Sequence, residues 1–308
     1  MDDHQLNRWR LSRRSFLITG TSLVAASLIR PGFSIETDGD AGGTFAIGVA
    51  SGDPAPDGFV IWTRLIRHPG EPGGGMSADR IEVSWQVAED EGMSRVVGTG
   101  VAQAEAAWAH SVHVEVEGLR ADRWYWYRFR VGDEWSPVGR SRTLPTPDSQ
   151  PDQLRFAFAS CQKYEMGYYT AYEHMAREDL DLVVFLGDYI YEKDDSSKGI
   201  RPHGLKTVRT LEDYRLRYAV YKADPALQAA HAAAPWIVTW DDHEVDNDYA
   251  GAVPGNPEKV PAETFLARRA AAYRAYYEHM PLRRSARPAG PDMELYRTVD
   301  FGRLARFC

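Results

Sequence analysis

Residues 182–191 read Leu-Val-Val-Phe-Leu-Gly-Asp-Tyr-Ile-Tyr, an apolar run that stops at Gly187-Asp188. A continuous run of this kind predicts a β-strand buried on both faces. Residues 154–159 (LRFAFA) and 236–240 (WIVTW) predict two further buried strands. Helical patterns fall at 167–178, at 211–231 with a break at Pro225, and at 263–280, and another strand begins within 295–299. Strands that alternate with helices indicate an α/β domain, which we place at residues 153–308.

The region before this domain has a different pattern. Residues 81–87 alternate apolar and polar side chains, and residues 124–131 (WYWYRFRV) are rich in aromatic residues. Several short strands between turn residues, with no convincing helix, predict a β-sandwich of the immunoglobulin or fibronectin type over residues 44–144. Its aromatic residues suit core packing better than a carbohydrate or partner surface. Residues 144–152 contain three prolines and predict a linker.

The amino terminus predicts an export signal over residues 1–30. Arg13-Arg14 precede Phe16-Leu17 and an uncharged run from Ile18 to Ile29. Twelve residues rise roughly 18 Å as a helix, which is short of a bilayer core near ~30 Å. A basic amphipathic helix of the mature protein is the alternative, but the run is apolar on all faces. The paired arginines resemble a twin-arginine signal, so we expect the twin-arginine translocase as a partner and a periplasmic or extracellular location.

Composition excludes several classes of protein. The chain has 308 residues, with 44 acidic and 36 basic side chains and a formal charge of −8. A general nucleic-acid binder needs basic surface, so we expect no nucleic-acid-binding surface. The two cysteines, Cys161 and Cys308, exclude a disulfide-dense scaffold.

Residues able to bind metals follow each of the three apolar strands. They are Cys161, Asp188 and the run Asp241-Asp242-His243-Glu244. If the strands are parallel neighbours, these groups converge at one edge of the sheet. Taken alone, Cys161 would be interpreted as a small apolar side chain in the core, and Asp188 as a turn residue after the strand. Three carboxylates around one imidazole, however, would repel one another without a cation, so the run predicts a metal or catalytic site.

The combined motifs resemble the PhoD-type alkaline phosphatase/phosphodiesterase family of the metallophosphatase superfamily. The motifs are Gly187-Asp188-x-x-Tyr191, Phe158-Ala-Ser-Cys161-Gln162, Trp240-Asp-Asp-His-Glu244 with Asn247 shortly after, and Gly48-Val-Ala-Ser-Gly-Asp-Pro54 leading to Ile61-Trp-Thr-Arg64. The resemblance implies an αββα metallophosphatase sandwich. It also implies a phosphoesterase in which a metal-activated water attacks a phosphate ester.

The resemblance assigns a role to each site residue. Cys161, Asp188 and Tyr191 would bind Fe(III), with Asp188 bridging to Ca²⁺. Asp242 would be a ligand on the calcium side, and Asn247 is a further candidate. His243 would face the phosphate and assist the leaving oxygen.

The final residues, 296–307, resemble the strand that precedes the second half of the family's catalytic domain. We therefore expect an incomplete α/β domain, its N-terminal half only, that is inactive by itself. The expected substrate is a small phosphate ester or a phospholipid. Two alternatives remain open: a phospholipase D-type phosphodiesterase of the same family, and a non-catalytic β-sandwich binding protein with a truncated enzyme domain.

Overall fold

The computed structural model describes residues 43–195 and 197–308, which belong to one compact unit. The predicted export signal lies outside the described residues. None of the described helices combines the length and hydropathy that a membrane span requires. The strands are β1 (Val49–Ala55), β2 (Gly58–Arg64), β3 (Arg80–Ala88), β4 (Val96–Glu105), β5 (Ser111–Val116), β6 (Trp124–Val131), β7 (Glu134–Trp135), β8 (Gly139–Arg142), β9 (Phe156–Ala159), β10 (Leu182–Phe185), β11 (Trp236–Val238), β12 (Val299–Phe301) and β13 (Ala305–Phe307). The α-helices are α1 (Thr170–Met175), α2 (Leu211–Lys222), α3 (Pro225–Ala233) and α4 (Ala262–His279).

A six-stranded mixed sheet positions the candidate site. Its strand order is β5-β2-β1-β11-β10-β9. Strands β9, β10 and β11 are parallel neighbours, which confirms the arrangement on which the predicted convergence depends. Strand β1 pairs in parallel with β11 through Gly52 and Trp236, and the sheet continues into β2 and β5 by antiparallel pairing.

The N-terminal region has two facing sheets, as expected for a sandwich. Strands β4, β3, β6 and β7 form the second sheet, with β8 paired to β6. Residues from both sheets share one core, including Phe59 and Ile61 on one side and Val83 and Phe129 on the other. One of these sheets is nevertheless the sheet that carries the candidate site. The ranges 44–144 and 153–308 therefore stay predictions, because the sheet has no break between them.

Helices cover one face of the six-stranded sheet. The break predicted at Pro225 is confirmed: α2 ends at Lys222, and α3 begins at Pro225 behind the N-cap Asp224. Thr210 accepts a hydrogen bond from the Asp213 N–H and so caps α2, the usual way to satisfy a helix N-terminus. The predicted 263–280 helix is α4. These helices bury their aromatic residues against β10 and β11.

The opposite face of the sheet is only partly covered. The β12–β13 hairpin packs there through Val299 and Phe301, near Ile237. A groove of about 830 Å³ remains beside it. The prediction that residues 154–159 form a buried strand is wrong in its burial, because β9 lies at the sheet edge and exposes Phe158 by 69%. Alternating apolar residues do not reveal which strand is outermost.

A lysine is buried at the end of α2. Lys222 is 2% exposed, and its Nζ lies 3.4 Å from Nε2 of His231 and 4.5 Å from the ring centre of Trp62. Burial lowers the pKa of Lys222 to about 7. The side chain is therefore held in a place where its charged form is poorly solvated.

We predict that Lys222→Met flattens part of the pH dependence of stability. Between about pH 7 and 10.5 the unfolded chain binds a proton that the folded Lys222 does not. The free energy of unfolding should thus rise with pH by at most about 1.4 kcal/mol per unit from this group, and fall as pH drops toward 7. Thermal unfolding of Lys222→Met should lack this slope, whereas Lys259→Met, on the exposed surface, should keep it. Identical slopes in both variants would contradict the prediction.

Candidate functional site

The ends of β9, β10 and β11 are held close together by the backbone. The N–H of Cys161 donates to the Gly187 carbonyl at 3.1 Å. A Cβ on Gly187, at φ 102°, would lie 2.5 Å from the Asp241 backbone nitrogen, so only glycine fits there. Cys161 and Asp188 have positive φ values of 56° and 55°. Non-glycine residues rarely adopt left-handed backbone. Those that do are held there by the surrounding structure and cluster at functional sites.

One buried carboxylate joins the ends of β10 and β11. Glu244 is 1% exposed, and its Oε2 accepts the N–H of Asp188 at 2.9 Å and the N–H of Asp241 at 2.6 Å. Its Oε1 accepts the N–H of Tyr189. Burial raises the pKa of Glu244 to about 8, although these N–H groups oppose the rise. Glu244 therefore fixes the two strand ends and does not face the predicted metal site.

Three of the predicted residues converge. Asp188, Asp242 and His243 each place a possible ligand atom within 4.8 Å of the other two. Asp188 is 6% exposed, and its Oδ1 is buried without a hydrogen-bond partner. A buried polar atom without a partner requires an explanation, and a cation supplies one.

Tyr191 and Cys161 adjoin this group. The Tyr191 hydroxyl donates to Asp188 Oδ2 at 2.9 Å. Burial, and next the hydrogen bond to Asp188, raise the pKa of Tyr191 far above its ordinary value. Burial also raises the pKa of Asp188, against the hydrogen bond from Tyr191 and the charge of His243. The Tyr191 hydroxyl thus keeps its proton unless a bound cation takes the place of that proton.

His243 is paired with a carboxylate that the sequence did not suggest. Its Nδ1 lies 2.6 Å from Oε2 of Glu192, whose side chain is 1% exposed. Burial opposes ionisation of both groups, but their pairing raises the pKa of His243 and lowers that of Glu192. The imidazole also packs on the Tyr191 ring, with 4.2 Å between ring centres.

Asn247 and Asp241 have other surroundings. Asn247 contacts Glu192 through its backbone N–H, at 3.2 Å, and Asp248 through its side-chain amide. Asp241 is exposed. Of the 241–244 run, Asp242 and His243 therefore have ligand atoms close to those of Asp188, whereas Glu244 accepts backbone N–H groups.

A second group of possible ligands lies apart from the strand ends. Glu165, Asp194 and His203 also have ligand-type atoms within 4.8 Å. Nδ1 of His203 accepts the N–H of Leu205 at 3.0 Å, and its Nε2 lies 2.8 Å from Glu165 Oε1. His203 Nε2 and Glu165 Oε2 are both buried without a hydrogen-bond partner, so a cation would also fit this second group.

A pocket of about 720 Å³ opens beside Asp242. Trp240 and Tyr273, whose ring centres are 4.7 Å apart, form part of its wall together with Arg269. The pocket offers room for the organic part of a substrate next to the converging carboxylates.

Sequence reasoning missed Glu192 and the inward role of Glu244. Glu192 directly follows the Gly187–Tyr191 motif, and that adjacency was the available signal. Glu244 was recognised only as a charge in the 241–244 run, since its orientation depends on a backbone turn.

Both regions of the chain match known proteins. Residues 34–145 match the model of the PhoD-like phosphatase N-terminal domain, and residues 156–308 match that of the PhoD-like phosphatase. Alkaline phosphatase D of Bacillus subtilis (strain 168) is 54% identical over 268 residues, covering 85% of this chain and 46% of the relative. A solved structure of PhoD superposes with a TM-score of 0.83 at 52% identity, covering 90% of this chain and 52% of that one.

The chain thus spans about half the length of the proteins that it matches. The matches cover both of its regions, and they confirm the resemblance inferred from the strand-end motifs. The chain belongs to the PhoD-like phosphatase family.

Proposed function

We propose that this chain carries the strand-end part of the active site of a metal-dependent phosphoesterase. The observation that carries the proposal is the convergence of Asp188, Asp242 and His243 within 4.8 Å, where Asp188 Oδ1 is buried without a partner. Membership in the PhoD-like phosphatase family supports the same reaction class. A phosphate ester is accordingly the proposed substrate.

The donor atoms fit two kinds of hard cation. Phenolate and carboxylate oxygens suit Fe(III), and we propose Tyr191, Asp188 and Cys161 as its ligands. Asp242 and Asn247, with Asp188 as a bridge, are proposed for Ca²⁺, which takes only oxygen ligands. Asn247 would have to give up the hydrogen bond that its amide nitrogen donates to Asp248 and turn its amide oxygen toward Asp242. The cations, when bound, would neutralise phosphoryl charge and acidify a water molecule.

The protein's own contribution centres on His243. Because Glu192 occupies Nδ1, Nε2 is the nitrogen that can face a substrate. We propose that Nε2 supplies a proton to the leaving oxygen of the ester. General acid catalysis of this kind is typically worth about 10²–10⁴ in rate.

Substrate class is tested by comparing a phosphomonoester with a diester and with phosphatidylcholine. We expect hydrolysis of the small esters, since the 720 Å³ pocket beside Asp242 has a polar wall that includes Asp241 and Arg269. Faster release of the lipid head group than of the small alcohols would favour the phospholipase D-type alternative. Absence of both metal binding and hydrolysis would favour the non-catalytic binding protein.

We predict that the chain binds about one iron and shows a tyrosinate-to-iron absorption band. Tyr191→Phe should lose this band, because the phenolate oxygen is its source. Tyr168→Phe is the control, since Tyr168 is 65% exposed and outside the site. The measurement is metal analysis with a visible spectrum. Iron-free protein, or a band that survives in Tyr191→Phe, would refute the proposed iron ligands.

We also propose export by the twin-arginine translocase, which rests on Arg13-Arg14 before the apolar run. Replacing both by lysine should retain the protein in the cytoplasmic fraction of a host that has this pathway. Arg8→Lys with Arg10→Lys is the matched control, because it makes the same exchange outside the pair. Unchanged export of the Arg13/Arg14 variant would exclude this route.

A further inference from the structure

Glu192 has an unusual position for a carboxylate. It directly follows Tyr191, yet its side chain turns inward and is 1% exposed. Its two oxygens have different partners: Oε2 lies 2.6 Å from His243 Nδ1, and Oε1 accepts the backbone N–H of Asn247 at 3.2 Å. One buried group therefore contacts both the histidine and the loop that follows it.

We propose that Glu192 is a positioning residue that fixes the ring of His243 so that Nε2 faces the substrate. The inference deepens the proposed function and rests on it. Through Oε1 the same carboxylate also sets the backbone at Asn247, so the histidine and the Asn247 loop are placed together. A short charge-assisted hydrogen bond gives the orientation that a lone imidazole lacks.

The proton balance follows from this arrangement. A water oxygen forms the new P–O bond and releases a proton to solvent; as the P–O bond to the leaving group breaks, His243 Nε2 gives its proton to the departing oxygen. The proton on Nδ1 stays in the hydrogen bond to Glu192, and Nε2 regains a proton from solvent before the next turnover. The negative charge of Glu192 stabilises the doubly protonated ring, and no other co-reactant is required.

A purely structural role for Glu192 makes a different prediction. If Glu192 only stabilised its loop, its removal would slow every substrate by a similar factor. A positioning role affects mainly the esters whose leaving group needs a proton. An alkoxide needs one, whereas p-nitrophenolate is stable without it.

The chain provides a matched control for Glu192→Gln. Glu165 is also fully buried and lies 2.8 Å from a histidine, His203, outside the strand-end site. Glu165→Gln therefore removes a buried charge beside a histidine that lies outside the strand-end site. Thermal unfolding of both variants checks that each one folds. If Glu192→Gln does not fold, Glu192→Asp takes its place, because the shorter side chain lengthens the contact with His243 Nδ1 and should give the same losses to a smaller extent.

The first measurement needs neither metal nor activity. In ¹⁵N-histidine-labelled chain, the His243 Nδ1–H should give an observable cross-peak, assigned by its loss in His243→Gln. Glu192→Gln should weaken or abolish this peak, and Glu165→Gln should leave it unchanged. A peak that persists unchanged in Glu192→Gln would overturn the inference even if the chain binds iron.

The second measurement uses metal-loaded protein. Glu192→Gln should reduce kcat on an alkyl phosphate at least about 10-fold more than on p-nitrophenyl phosphate, with little change in KM. Equal losses on both substrates would assign Glu192 a structural role only. Failure of the proposed function would instead appear as absence of iron and turnover in the wild-type chain, while the cross-peak stays present.

Discussion

The arrangement of the site depends on the carboxylate of Glu244. Asp188 and Asp241 follow two different strands, and each donates its backbone N–H to the same oxygen of this side chain. These bonds satisfy N–H groups that would otherwise be buried without partners beyond the ends of the strands. Gly187 allows the close approach, because a side chain there would meet the Asp241 backbone. Convergence of the ligands is thus a consequence of backbone hydrogen bonding.

A second buried carboxylate, Glu192, contacts His243 and the backbone of Asn247. The two glutamates have different roles. Glu244 accepts the backbone N–H of Asp188, and Glu192 pairs with the ring of His243. Supporting groups of this kind keep ligands within the small tolerance that metal sites require. The rest of the sheet provides a rigid base, and the parallel pairing of Gly52 with Trp236 extends it into the N-terminal strands.

The strands and helix boundaries could largely be predicted, because they depend on residues close together in sequence. The run 182–186 and the break at Pro225 are set by burial and by backbone chemistry, which act locally. The edge position of Phe158 depends on strand order, and the shared sheet depends on pairing between residues far apart in sequence. Glu192 and Glu244 were missed as supporting residues because their roles depend on side-chain direction, which periodicity does not encode.

Diffraction data collected at the iron absorption edge test the central claim most directly. Crystals of residues 1–308 grown with Fe(III) should give an anomalous peak bonded to the side chains of Asp188, Tyr191 and Cys161. Such a peak would place the metal at the strand ends that Glu244 joins. No peak at that position, or a peak between Glu165 and His203 instead, would contradict the account.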